Sequence, residues 1–209
     1  MHVRWAPLQR REGRRAFPFP SFSNLCGPFS KMQFYQNERL GLFLDGPNLF
    51  AAARTLGFMI DYGSLLRLFR NSGQLIRVNY YLPIADDFAT SPLRGVSDWL
   101  QYNGYTVITK PAKDYVDANG RRKIKSGMDI ELAVDALSLA NSLDHIVLFS
   151  GLGDFCGLVS ALQRRGRRVT VVSTIRTQPP IVADDLRRMA DQFIDLADLA
   201  PMIGRAPAA

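Results

Sequence analysis

Apolar positions along the chain follow two alternating rhythms. Short continuous runs, among them Leu42-Phe43-Leu44, Ile146-Val147-Leu148-Phe149 and Val169 with Val171-Val172, read as strands buried on both faces. Between them lie stretches with apolar residues three and four apart, which read as helices. The pattern predicts a strand at about 39–45, a helix from Asn48 through Gly57, and a second helix over 62–73 capped by Asp61. A strand over 74–83 follows, then a helix with Ser91 as cap and Pro92 in first position, and a strand over 105–109. Segment 110–125 is polar and basic, and its Asn119-Gly120 pair reads as a hairpin turn. Helix 128–142, strand 145–150, helix 154–165, strand 167–174, a loop with Pro179-Pro180, helix 183–191 and strand 192–196 complete the series. Strands alternating with helices predict an α/β fold, a mostly parallel sheet covered on both faces.

Within helix 128–142, Ile130, Ala133, Val134 and Leu137 form an apolar stripe. At 100° per residue Asp135 falls almost opposite that stripe, which predicts that it is solvated. Residues 1–31 show no hydrophobic period and contain several Pro and Gly breakers. They lack the apolar stretch of a secretory signal, and their prolines break any amphipathic transit helix. A loose extension over 1–31, one domain over 38–199 and a short tail over 200–209 are expected.

Composition narrows the chemistry. The 209 residues suit one α/β domain with an extension, and 47% hydrophobic with 22% charged residues is the balance of a soluble globular protein. No apolar stretch approaches the ~18 residues that a membrane span needs. Cys26 and Cys156 lie far apart in unlike contexts, which points to a reducing, cytoplasmic setting rather than a disulfide scaffold. With His2 and His145 as the only histidines, neither a His/Cys zinc site nor a Ser-His-Asp triad can be assembled. Hydrolytic chemistry in such a chain has to run on carboxylates, with a metal.

The net charge of +7 is uneven: residues 1–31 hold six basic residues and one acid, leaving +2 for the remainder. Local clusters therefore matter more than the total. Arg121, Arg122, Lys123 and Lys125 stand just before Asp129, with Tyr115 in the same segment. Cations there would contact phosphates without regard to sequence, and the aromatic would stack on a base. Arg164, Arg165, Arg167 and Arg168 end a helix at the opposite edge and read as a solvated helix end.

Three acids are the candidates for chemistry. Asp45 ends the first strand in "LFLDGPN", Asp154 follows strand 145–150 in "SGLGDF", and Asp129 opens helix 128–142 after "KSG". In open α/β sheets ligands collect beyond the carboxyl ends of strands. Each acid also has a local reading: an Asx turn for Asp45, helix-dipole complement for Asp129, an N-cap for Asp154. "GLGDFCG" fits a glycine-rich nucleotide turn, but an acid inside it would oppose a pyrophosphate and no ribose-binding acid ends the next strand. "LFLDGPN" is similar to the haloacid-dehalogenase nucleophile strand, yet Pro47 stands where that motif carries its second acid.

Taken together, "LFLDGPNLF", "KSGMDIELAVDAL" and "IVLFSGLGDFCGLVSALQRRGRRVTVV" resemble, in order and spacing, the motifs of NYN domains, the PIN-like ribonuclease relatives. The resemblance covers about 38–199. It implies a Rossmann-like three-layer α/β/α sandwich, Mg²⁺ or Mn²⁺ held by clustered acids, and hydrolysis of RNA. On that likeness Asp45, Asp129 and Asp154 are the catalytic and metal-binding acids, with Asn48, Asp135 and Ser150 in support. The family loop usually reads Ser-Gly-Asp-x-Asp-Phe, and Leu152 here replaces its first acid. The expectation is a metal-dependent endoribonuclease acting on single-stranded RNA, with room for a homo-oligomer. The alternative is a non-catalytic RNA-binding or regulatory module with a weakened metal site.

Overall fold

A computed structural model describes residues 32–84, 92–116, 122–125 and 127–206. Strand β1 (Arg39–Asp45) lies at the centre, flanked on one side by β3 (Gln74–Ile84) and β4 (Thr106–Pro111). On its other side come β7 (His145–Phe149), β8 (Arg168–Ser173) and β9 (Gln192–Asp195). All five pairings are parallel, so the sheet order β4-β3-β1-β7-β8-β9 reverses direction at β1 and β7. That reversal opens a crevice beyond the carboxyl ends of these two strands.

Side chains alternate across β1 and divide the core. Leu40, Leu42 and Leu44 pack with α1 (Gly46–Thr55), α2 (Tyr62–Arg70) and α7 (Leu196–Ile203). Phe43 faces the other layer, built from α4 (Asp129–Leu139), α5 (Cys156–Arg164) and α6 (Asp184–Met189). Leu100 of α3 (Pro92–Tyr102) joins the first layer. The fold is the expected three-layer α/β/α sandwich.

Several boundaries differ from the periodic reading. Helix α1 begins at Gly46 rather than Asn48, because Asp45 caps it directly. A Cβ at Gly46 would lie 2.7 Å from the Tyr81 carbonyl, so only glycine lets the helix start this close to β3. Two short elements escaped the pattern: β2 (Met59–Ile60) pairs antiparallel with β10 (Gly204–Arg205). Helix α7 also crosses the expected end of the domain at 199. Leu199 and Ile203 are fully buried, so residues 200–206 belong to the folded unit rather than to a tail. Residues 113–116 and 122–125 form an antiparallel hairpin, β5 with β6, as the basic segment suggested. Its Asn119-Gly120 turn, the cap Ser91 and the extension 1–31 lie outside the described residues.

The largest departure is in α4. Met128, Leu132, Ala136 and Ala140 are the residues buried against the sheet, whereas Ile130 is 74% and Val134 54% exposed. Of the stripe read as the core face, Ile130 and Val134 therefore face outward, while Ala133 and Leu137 pack against the core from its margin. Asp135, expected in solvent, instead turns toward the sheet, where the Tyr81 hydroxyl donates to its Oδ2 at 2.9 Å.

Candidate functional site

Asp45 sits at the reversal point, on the same face of β1 as Phe43, and is only 8% exposed. A long helix-capping bond reaches its Oδ1 from the Asn48 backbone N–H at 3.4 Å, and the buried Ser150 hydroxyl donates to Oδ2 at 2.8 Å. Ser150 is itself held by the Leu152 N–H at 3.3 Å. The Asn48 side chain accepts the Gly151 N–H at 3.0 Å, which ties the start of α1 to the exit of β7. Gly151 fits there because a Cβ would lie 2.5 Å from the Ile181 carbonyl. Asp45 is thus both the cap that a local reading proposes and an acid fixed at the mouth of the crevice.

Across a cleft of about 330 Å³, lined by Asp45, Asn48, Asp129 and Leu152, stands the first residue of α4, Asp129. Burial pushes the Asp45 carboxyl above its ordinary range, against the lowering effect of Ser150 and Asn48, and the Asp129 charge adds to the rise. Asp129 is raised chiefly by its own partial burial, then by repulsion from Asp154 and Glu131, with Lys110 opposing. Lys110, at the end of β4, pairs with Glu131 Oε1 at 2.6 Å. Neither residue stood out in the sequence. The one signal available was that Lys110 closes a strand on the edge that carries Asp45.

Asp154 does not cap α5. It is exposed within a 3₁₀ turn (Gly153–Phe155), and the helix begins after Phe155 without a side-chain cap. It shares with Asp129 a second, adjoining groove of about 470 Å³ between α4 and α5, and does not line the Asp45 cleft. The acids thus form a row, Asp45–Asp129–Asp154, with Asp129 common to both hollows. Among the described residues no three His, Cys, Asp or Glu side chains stand close enough to enclose a metal. Leu152 is 36% exposed on the cleft wall, at the position where an additional acid would complete the row.

Asp135 lies one layer away, in a chain from Asn79 Nδ2 to the Tyr81 hydroxyl (3.1 Å) and on to its carboxylate. Asn79 Oδ1 is buried with no partner among the described residues. The hairpin places Tyr115 opposite Lys123, and Arg122 and Lys125 on the same ribbon leading to Asp129. Arg121 falls outside the described residues. The second arginine cluster is at the opposite sheet edge, as expected, but it is not all solvated: Arg168 pairs with Glu38 at 2.6 Å and Arg167 approaches Asp144 at 3.7 Å.

No helix among the described residues is long and apolar enough to cross a membrane. The chain is 35% identical over 173 residues to the low amplitude and bright protein LabA of Synechococcus elongatus, covering 81% of this chain and 89% of that one. In fold it is similar to the crystal structure of a Vibrio parahaemolyticus protein of unknown function, with a TM-score of 0.65, 24% identity, and coverage of 79% of this chain and 96% of that one. The NYN domain profile matches residues 39–197, from the first residue of β1 into α7. The chain belongs to the NYN domain family, the PIN-like relatives of ribonucleases.

Proposed function

We propose that the protein is a metal-dependent endoribonuclease acting on single-stranded RNA. The observation that carries this reading is Asp45: a carboxylate brought out of the core on the central strand, held by Ser150, and facing Asp129 across an open cleft. Two hard-oxygen donors that burial and mutual repulsion make reluctant anions suit a small divalent cation, which keeps several of its own waters. Asp45 and Asp129 would hold Mg²⁺ or Mn²⁺, and Asp154, which lines only the adjoining groove, would add negative charge beside the ion rather than ligate it. Bound there, such an ion supplies Lewis acidity and offsets phosphate charge.

The chain's own groups do the remainder. Ser150 and the Asn48 N–H fix both oxygens of Asp45, so the carboxylate is oriented before substrate arrives. Asn48 holds the Gly151 peptide and thereby the loop carrying Leu152 and Asp154. Lys110 lies near enough to Asp129 to lower its proton affinity, and it offers the row of acids a cation for phosphate. The hairpin bearing Arg122, Lys123 and Lys125 leads directly into Asp129, which suits guidance of a strand into the cleft.

The test is cleavage of single-stranded and duplex RNA across Mg²⁺ and Mn²⁺ concentration, with Asp45→Asn as control. Metal-dependent cutting of single strands that Asp45→Asn abolishes is the expected result. Equal cutting by both proteins would mean a contaminant. A second reading, a non-catalytic RNA-binding module, draws on Leu152, which leaves the row one carboxylate short. RNA binding without cutting at any metal concentration would favour it.

A further inference from the structure

The outer face of α4 is apolar where a surface helix should be polar. Ile130 and Val134 project from it, and with Ala133, Leu137, Leu158 and Ala161 they line the groove against α5. The two helices run side by side in the same direction. Their amino ends meet at Asp129 and Asp154, and at the far end Arg165 Nη1 donates to the Leu137 carbonyl at 2.8 Å. Its neighbour in sequence, Arg164, is exposed just beyond the groove's lining and donates only to Ser160 among the described residues. The patch therefore has an acid end, an aliphatic middle and an arginine end, spread over about 15 Å of helix.

We infer that this groove is the interface of a two-fold symmetric homodimer. A two-fold axis across the middle of a surface patch sets each end against the opposite end of the other copy, so complementary ends favour self-pairing. Here an axis through the middle, near Val134 and Ala161, sets the aliphatic stripes against each other in antiparallel fashion. The same operation brings the partner's Arg164 to Asp154 and this chain's Arg164 to the partner's Asp154. Among the described residues neither Asp154 nor Arg164 has an ion-pair partner within its own chain. A nucleic-acid strand fits the groove less well. Its accessible surface is Ile, Val, Leu and Ala, with Phe155 buried as floor, and stacking needs exposed aromatic faces. A consequence for the site follows, since each copy lends an arginine to the acid row of the other. The dimer stands on the groove and is independent of whether the acids cut RNA.

Analytical ultracentrifugation of the full chain from low to high micromolar concentration tests this. A reversible dimer is expected. Val134→Glu, at an exposed helical position, should weaken association by about tenfold or more while leaving the melting temperature unchanged at dilutions where both proteins are monomers. Arg164→Asp and Asp154→Arg should each weaken it, and the double variant R164D/D154R should recover part of the loss, because only opposed ends exchange their charges. A chain that stays monomeric throughout overturns the inference. So does a dimer indifferent to Val134→Glu, or a double variant weaker than either single change. A monomer whose RNA binding is lost in Val134→Glu would also overturn it and assign the groove to nucleic acid. The readout is mass, so failure to dimerise and failure to cut RNA are separate results.

Discussion

The two edges of the central sheet carry similar numbers of acids and treat them in opposite ways. At the amino edge Asp144 and Glu38 each meet a cation, and Asp191 accepts the Val169 N–H. Arg39 grips Asp144 through two side-chain bonds of 2.8 and 2.7 Å, holding its carboxyl well below the usual range. Glu38 takes Arg168 at 2.6 Å and meets Nδ1 of the fully buried His145 at 3.1 Å, while Thr170 occupies Nε2 at 2.7 Å. At the carboxyl edge Asp129 faces Asp45 on one side and Asp154 on the other, and Asp45 and Asp129, the more buried, are pushed upward. An acid matched with an arginine stabilises the fold. A row of acids with insufficient counter-charge costs stability, and its persistence in the fold is physically reasonable only if something cationic arrives there.

The comparison breaks most sharply at Asp45. Asp45→Asn should lower RNA cleavage by about a thousandfold, near 4 kcal/mol of transition-state stabilisation. Its unfolding midpoint in denaturant should stay level or rise, because a neutral amide avoids the desolvated charge. An equal loss of activity and stability would make Asp45 an ordinary structural acid like Glu38.

Glu38→Ala is the mirror experiment. It leaves Arg168 and the buried His145 without their partner and should cost about 3 kcal/mol of stability, with cleavage per folded molecule unchanged. The same cluster predicts a pH dependence. Burial, then the Arg168 charge, pulls His145 from 6.5 down to about 4, with Glu38 and Asp191 opposing. Between those values the unfolded chain binds more protons, so this group's contribution is intact above pH 6.5 and is lost as pH falls toward 4. Asp45 and Asp129 act with the opposite sign: their raised values mean the folded state holds protons more tightly, and acidification relieves their repulsion. His145→Gln should therefore flatten the acid limb of the stability curve. A curve unchanged by it would assign that limb to other groups.

A medium-sized effect sits between the layers. Tyr81→Phe removes the donor to Asp135 and the acceptor of the Asn79 amide, and should cost about 2 kcal/mol in denaturant unfolding. Cleavage at saturating metal should survive, since Asp135 lines neither hollow. A variant of normal stability but impaired cleavage would move Asp135 into the working site.

These residues also show what was legible in the chain. Strands such as 39–45 and 145–149 were plain because burial on both faces leaves an unbroken apolar run. Asp45 was legible because it ends an apolar strand at the carboxyl edge, whereas Asn48 and Ser150 stood out only through the family resemblance. Helix α4 was misread for a physical reason: periodicity finds an apolar face but not what covers it, and here a second apolar face, Met128-Leu132-Ala136, takes the sheet. Asp135 was consequently assigned to solvent. Lys110 and Glu131 were invisible since their pairing joins β4 to α4 across 21 positions of chain. The division of the acids between two adjoining hollows likewise depends on where α4 and the 153–155 turn are held in space.

The smallest expected change bears directly on which edge Leu152 resembles. At 36% exposure it lines the cleft with Asp45 and Asp129 rather than packing in the core, so Leu152→Asp should not bury a charge. Without metal the added carboxylate should lower the melting temperature slightly, through like-charge repulsion. With Mn²⁺ the sign should reverse, with affinity rising about tenfold, or about 1.4 kcal/mol, and cleavage increasing at limiting metal. Calorimetric titration and melts with and without Mn²⁺ separate the two effects. A variant equally stable in both conditions, binding Mn²⁺ no better and cutting no faster, would mean that the row is not a metal site waiting for a carboxylate. The carboxyl edge would then be an RNA-contacting surface whose acids have another counter-charge, such as the partner's Arg164.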